Sequence, residues 1–241
     1  MDNFHALFVR STRFRETSSE LRDAVAGAGN LDPEAAVDVY RKMYWYRQVD
    51  ACFSLLPKSA DAIGHERFTK TICDIIHKCP SKHYALEHYV LELSELLLLQ
   101  LTDATQSAAV RLERASLAAL VAPNDPGAPL RAATIATPAF ATIPLRWHRS
   151  SRIVEDAPGA AIAVFQLAES EDGAVWVGRP TLFLEAVRVP LALASLPEVF
   201  TGEELIVALA DEDGSPVTVA RRLARLVELG AILHASNEIS Q

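Results

Sequence analysis

The segment APNDPGAP, residues 122–129, is the feature that most constrains the fold of this chain. Its three prolines, its glycine and its Asn-Asp pair exclude regular secondary structure. Residues before it show helical periodicity, whereas residues after it include short stretches typical of strands. The sequence therefore predicts an α+β protein with two domains. We expect an N-terminal all-α helical bundle over 1–121, a linker over 122–130, and a small β-sheet and winged-helix-like domain over 131–241.

The central helix of the first domain is predicted between Leu31 and Pro57. Asp32 suits the N-cap, Pro33 suits the first helical position, and Pro57 cannot continue a helix. Apolar residues recur every three or four positions, which predicts one buried face. The residues of this predicted face are Val39, Met43, Tyr46, Val49, Phe53 and Leu56, and those of a second, more polar face are Tyr40, Tyr44, Arg47 and Ala51.

Other helices are predicted around this one, joined by short connections as in a bundle. They cover residues 4–26, 59–64, 65–79, 80–101 and 104–121, with Thr102-Asp103 as the cap of the last.

The second domain begins with a β-like stretch, residues 132–143, that is rich in threonine, isoleucine and alanine but contains Pro138. Residues 160–168 and 174–177 flank an acidic turn that ends in glycine, a pattern typical of a β-hairpin. Residues 181–189 indicate a third strand, or a strand that continues into a helix. The order that follows is a short helix, a longer helix that Ser215-Pro216 begins and Gly230 ends, and a strand, which predicts a winged helix.

Composition narrows the classes of function. The chain has 241 residues, of which 50% are hydrophobic, so a core is expected and disorder is not. A net charge of −8 argues against a protein whose main role is to coat nucleic acid. The odd number of cysteines favours a reduced, cytoplasmic location, and no apolar run is long enough to span a bilayer. We therefore expect a cytoplasmic protein with no membrane partner.

Candidate catalytic and metal-binding patterns are weak. Cys73, His77, Cys79, His83 and His88 lie close together in the sequence, and the first two could share a helix face, but no Cys-x-x-Cys accompanies them. The sequence has no nucleophile elbow and no phosphate-binding loop. We interpret the chain as non-catalytic, with no cofactor or metal of its own.

Two binding functions remain open at this point. Arg221, Arg222 and Arg225 are predicted on the outer face of the longer C-terminal helix, which would meet the major groove in a DNA-binding transcriptional regulator. Acidic residues immediately upstream would repel phosphate, which disfavours nucleic acid as a partner. The same arginines could instead receive a peptide that adds a strand to the hairpin. The hairpin residues predicted to contact such a peptide are Ile162, Val164, Phe165, Val175 and Trp176.

A series of short motifs runs along the first domain: Tyr40-Arg41, Arg47, Phe53, Leu56-Pro57, Ile63-Gly64, Phe68 and Cys79-Pro80-Ser81, followed by a leucine-rich helix to Leu101. In this order they resemble the N-terminal domain of the HvfC/BufC family. Leu56 stands where the family usually has phenylalanine. The likeness extends into the second half through the hairpin and the winged-helix-like end, and so covers nearly the whole chain.

This resemblance implies a partner subunit in the biosynthesis of ribosomally made peptide natural products. Such subunits form a heterodimer with a TIM-barrel, multinuclear non-heme iron-dependent oxidative enzyme, as in methanobactin or 3-thiaglutamate biosynthesis. They recruit the precursor peptide through its leader for cysteine modification, and the iron belongs to the enzyme. We expect the enzyme to dock on Tyr44, Trp45 and Arg47, because aromatic residues and arginine dominate interface energetics.

Overall fold

The protein is described here from a computed structural model. It describes Ser19, Asp23 and residues 32–123, 127–128, 130–157, 160–166, 184–210 and 215–235. The predicted α+β class is confirmed, since helices dominate and small antiparallel sheets accompany them. The chain divides into two compact units, Met1–Arg114 and Ala115–Gln241. The linker over 122–130 lies partly outside the described residues and stays a prediction, as does the helix over 4–26.

The described part of the first unit consists of helices and the loops that join them. Its helices are α1 (Pro33–Leu55), α2 (Pro57–Ile63), α3 (His65–Lys78), α4 (Leu86–Leu98) and α5 (Ala104–Leu120), the last of which continues into the second unit.

Local signals in the sequence set several of these helix ends. The Asp32 carboxylate accepts hydrogen bonds from the backbone N–H groups of Glu34 and Ala35, at 3.2 and 3.3 Å, which confirms the predicted N-cap of α1. Asp103 accepts from the N–H of Gln106 at 2.9 Å and so caps α5. Residues 80–85, which the sequence placed in the next helix, precede α4 instead, so that prediction is wrong at its start.

The predicted buried face of α1 is wrong in its first half. Val39, Met43 and Tyr46 are 46%, 56% and 65% exposed, whereas Gln48 and Cys52 are buried. At 100° per residue, Gln48 and Cys52 lie on the opposite side of the helix from Val39 and Met43. Helices α3 and α4 pack against α1, and this packing buries the side that carries Gln48 and Cys52. Val39, Met43 and Tyr46 are therefore left exposed on the other side of α1.

A buried carboxylate joins α5 to the start of α2. Glu113 is 7% exposed and accepts hydrogen bonds from the backbone N–H groups of Lys58 and Ser59, both at 2.8 Å, and from Ser59 Oγ at 2.5 Å. The first N–H groups of a helix have no partner within the helix, and α2 has no side-chain cap of its own. Glu113 supplies that cap from 55 residues further along the chain.

The second unit alternates short helices and strands. Its described elements are α6 (Ala132–Ile135), a 3₁₀ helix (Pro138–Thr142), β1 (Pro144–Trp147), β2 (Arg152–Ala157), β3 (Ala160–Gln166), β4 (Leu184–Pro190), a second 3₁₀ helix (Leu191–Ser195), β5 (Val199–Thr201), α7 (Gly202–Leu209), α8 (Pro216–Glu228) and β6 (Ile232–His234).

These strands form two antiparallel sheets. One has the order β5-β1-β6, with Leu145 of β1 opposite Phe200 on one side and His234 on the other. The other has the order β2-β3-β4. The β-like prediction for 132–143 is wrong, because α6 and a 3₁₀ helix that begins at Pro138 occupy this stretch.

Apolar residues of the first sheet, α7 and α8 form one core in the second unit. Trp147 and Phe200 pack with ring centroids 5.4 Å apart. Gly230 ends α8 with φ of 62°, which confirms the predicted stop. The largest fully buried side chains of this core are Phe200, Leu145, Leu193, Leu205 and Leu209.

Among the helices of the described part, none combines the length and the apolar composition that crossing a membrane requires.

Candidate functional site

The exposed side of α1 carries an apolar surface, which we call the α1 face and define as Val39, Tyr40, Met43 and Tyr46. Tyr40 is 48% exposed, so all four side chains present about half or more of their area to solvent. Isolated exposed apolar residues are ordinary, whereas a group of four on one helix is a candidate interaction surface. The helical periodicity predicted that three of these residues, Val39, Met43 and Tyr46, would face the core.

The three residues predicted to dock an enzyme lie in different environments. Tyr44 is half-buried, and burial raises its pKa, an effect that a hydrogen bond with Ser81 and the charge of Arg47 partly offset. Trp45 is also half-buried and meets the ring of Tyr46 edge-on, at a centroid distance of 5.5 Å. Arg47 is exposed. Arg47 is therefore the predicted docking residue most available beside the α1 face.

The arginines of α8 do not share one free outer face. Arg221 is exposed, but Arg222 is half-buried and donates from Nη1 to the carbonyl oxygen of Leu209, at 3.0 Å. Because Leu209 is the last residue of α7, Arg222 places a cation at the negative end of that helix. Arg225 forms an ion pair with Glu228 at 3.2 Å. The prediction that all three face outward is therefore wrong for Arg222, which has a structural contact.

The predicted peptide-binding hairpin is only partly described. Ile162, Val164 and Phe165 lie on β3, which pairs with β2 on one side and β4 on the other. A central strand has no free backbone groups for an added strand, so within the described residues a peptide could pair only along the outer edge of β2 or β4. Val175 and Trp176 lie outside the described residues.

The β5-β1-β6 sheet has fewer free edge positions at which a peptide strand could add. The outer side of β6 is bonded to the segment before α6, through Leu130 N–H to the Ile232 carbonyl and His234 N–H to the Ala128 carbonyl, both at 3.1 Å. The other edge strand, β5, has only three residues. Strand addition is therefore better placed on the β2-β3-β4 sheet.

The cysteines and histidines that lie close together in the sequence are not arranged as a metal site within the described residues. His83 Nε2 lies 2.9 Å from a Glu92 carboxylate oxygen, and the rings of His83 and His88 stack at 6.0 Å. Within the residues that the structure covers, no three histidine, cysteine or acidic side chains are placed to hold a metal ion together. The expectation that the chain has no metal of its own stays a prediction.

We expect Cys52 to make the stability of the helical unit depend on pH in the alkaline range. Burial raises the pKa of this thiol from 9.0 to about 12, and nearby Cys73 adds to the rise. The unfolded thiol therefore loses its proton near pH 9 while the folded thiol keeps its proton up to about pH 12. We expect the free energy of unfolding to fall as pH rises through this window, because the unfolded state then binds fewer protons. Urea denaturation at several pH values measures the fall.

Burial of Tyr44 and Tyr89 raises their pKa values too, so Cys52→Ala should flatten this pH dependence without abolishing it. Alkylation of the native protein provides the control. Exposed Cys79 should react first and Cys52 only after unfolding. Rapid alkylation of Cys52 in the native protein would contradict its burial.

The sequence matches no family model, no curated protein and no solved structure.

Proposed function

We propose that this chain is a non-catalytic partner protein that recruits a ribosomally made precursor peptide to a multinuclear iron-dependent oxidative enzyme for cysteine modification. The α1 face is the observation that carries this proposal, because a protein that binds another chain needs such a surface. In this proposal the helical unit is a bundle whose α1 face docks the enzyme in a heterodimer. Tyr40, Met43 and Tyr46 supply the apolar contact, and Arg47 supplies a charge at its rim.

The second unit would hold the peptide. We propose that α7, α8 and β6 form a winged-helix-like arrangement, and that the leader of the peptide adds as a strand to the outer edge of β2 or β4. Main-chain hydrogen bonds would give affinity, while side chains of the sheet would give specificity. The motifs that resemble the HvfC/BufC family support the same roles. Iron and oxidative chemistry would belong to the enzyme.

The alternative function is a DNA-binding transcriptional regulator. Arg221 at the outer face of α8 favours it, but Arg222 and Arg225 have protein contacts, and Glu203 and Glu204 are exposed on the preceding helix. Specific affinity for DNA needs several phosphate contacts. A gel shift on the upstream DNA of the gene at physiological salt, with Arg221→Ala as control, distinguishes this function, because only a regulator should show a shift that depends on Arg221.

Binding of an enzyme through the α1 face can be measured with the full chain and an iron-dependent oxidative enzyme encoded beside it. We expect a one-to-one complex in size-exclusion chromatography. Met43→Asp should weaken it at least about tenfold, because a buried unpaired charge costs well over 1 kcal/mol at an interface.

Tyr84→Asp is the matched control. Tyr84 is an aromatic residue of the same unit, is 97% exposed and lies outside the α1 face. The complex should tolerate Tyr84→Asp. An enzyme that fails to bind, or that binds Met43→Asp as well as the unchanged chain, would contradict docking through this face. Calorimetric titration with the cognate peptide tests the second unit separately.

A further inference from the structure

The α1 face has the spacing of a short helix-pairing seam. Val39, Met43 and Tyr46 recur at intervals of four and three residues, which are the d, a and d positions of a heptad. The seam is about two turns long, roughly 10 Å from Val39 to Tyr46. Ala36, at the preceding a position, is buried, and Asp50, at the following one, is charged. The exposed apolar seam therefore does not extend beyond Val39 and Tyr46 in either direction.

Two cations border this seam. Lys42 occupies the g position and Arg47 an e position, and both side chains are exposed. Within the described residues neither takes part in an ion pair, whereas the nearby Asp38 carboxylate bonds to Arg41 at 3.0 Å. In paired helices the residues at e and g determine which partner is accepted, because they lie across from the e and g residues of the other helix. A partner with acidic residues there would gain two attractive contacts.

The same charges disfavour a second copy of this chain. In a parallel pair, the g residue of one helix meets the following e residue of the other, which would place Lys42 against Arg47. In an antiparallel pair, g meets g and e meets e, which would place like cations together in both cases. Like charges across an interface cost free energy. Self-association through the α1 face is therefore opposed in either orientation.

The size of the α1 face also fits one helix. A large side chain has about 200 Å² of surface, and each of the four is about half exposed. Together they expose on the order of 400 Å² to solvent. A standard interface buries about 800 Å² on each partner. The area therefore suits a contact with a single amphipathic helix that forms part of a larger interface.

We infer that the α1 face docks an amphipathic helix of a partner protein, with apolar residues along its seam and glutamate or aspartate at the flanking positions. The inference deepens the proposed function and rests on it for the premise that α1 binds another protein. It adds the chemistry of the bound element.

The probe is a synthetic 21-residue helix with leucine at a and d and glutamate at e and g, compared with the same helix carrying lysine at e and g. Binding to the full chain is measured by fluorescence anisotropy. We expect the glutamate helix to bind at least about tenfold more tightly and to weaken as salt rises. If the attraction were non-specific, the net charge of −8 would favour the lysine helix. Tighter binding of the glutamate helix therefore indicates a local contact with the two cations.

Variants assign the preference to the named residues. The double change Lys42→Glu and Arg47→Glu should reverse it in favour of the lysine helix, and Met43→Asp should abolish binding of both helices. Tyr84→Asp should leave binding unchanged. All these positions are exposed, so circular dichroism should show an intact fold.

Several results would overturn the inference. These are equal binding of the two helices, a preference that survives the double charge reversal, or a dimer of the chain that Met43→Asp disrupts. Failure of the glutamate helix to bind would also overturn it. If the enzyme complex still forms and still depends on Met43, the proposed function stands and only the acidic-helix chemistry is wrong. If the glutamate helix binds but no enzyme does, the acidic-helix chemistry stands and the proposed function is wrong.

Discussion

Replacing Glu113 by alanine is expected to destabilise the helical unit by about 3 kcal/mol, because three donors lose their acceptor in a buried place. The backbone N–H groups of Lys58 and Ser59 and the hydroxyl of Ser59 all bond to this carboxylate. Ser59 is fully buried, so water cannot readily replace the lost oxygen atoms. The loss is a large fraction of the total stability of an ordinary domain. Urea denaturation followed by circular dichroism measures it.

Two milder variants separate the parts of this interaction. Glu113→Gln keeps one acceptor oxygen and should lose less than the alanine variant. Ser59→Ala removes only the hydroxyl donor and should cost about 1 kcal/mol. If Glu113→Ala is no less stable than Ser59→Ala, the carboxylate is not the cap of α2.

Gly202→Ala is expected to destabilise the second unit by about 3 kcal/mol, because it places a methyl group where the chain has no space. A Cβ at this position would lie 2.1 Å from the carbonyl oxygen of Phe140 and 2.9 Å from its Cε1. Neither the backbone of the 3₁₀ helix nor a buried ring can move freely, so overpacking strains both. Thermal denaturation followed by circular dichroism measures the change.

Gly64 provides the comparison, because a Cβ there would have open space but an unfavourable backbone conformation, whereas a Cβ at Gly202 would clash with Phe140. Its φ is 88°, and a Cβ there would meet no atom within 4 Å. Gly64→Ala should therefore cost about 1 kcal/mol through backbone conformation alone. A Gly202→Ala variant as stable as Gly64→Ala would show that the contact with Phe140 relaxes without cost.

Helix ends could be predicted from sequence because their causes are local. Asp32 with Pro33, and Pro216 with Gly230, act through the backbone of their own helix, and the structure confirms these ends. Strand β1 was missed because its four residues are stabilised by β5 and β6, both more than 50 residues further along the chain. Short apolar runs carry no signal of a partner so distant.

The α1 face shows the same limit of local information. Periodicity identified Val39, Met43 and Tyr46 as one face, and that grouping is correct. Which face is buried depends on where α3 and α4 pack, and their packing buries Gln48 and Cys52. Of the three residues predicted to dock an enzyme, Tyr44 and Trp45 are half-buried and Arg47 is exposed. The neighbouring Tyr40 and Tyr46 are exposed as well.

The strand order β5-β1-β6 has a consequence for the way the chain is synthesised. Strand β1 ends at Trp147, but its two partners end at Thr201 and His234, so β1 leaves the ribosome before either of them. The sheet can therefore close only after His234 has left the ribosome, and the long sequence distance between its strands makes closure slow. Helices α1 to α4 contact one another and all lie within residues 33–98, so they can fold before that. During translation the helical unit would present its α1 face while the second unit is still incomplete.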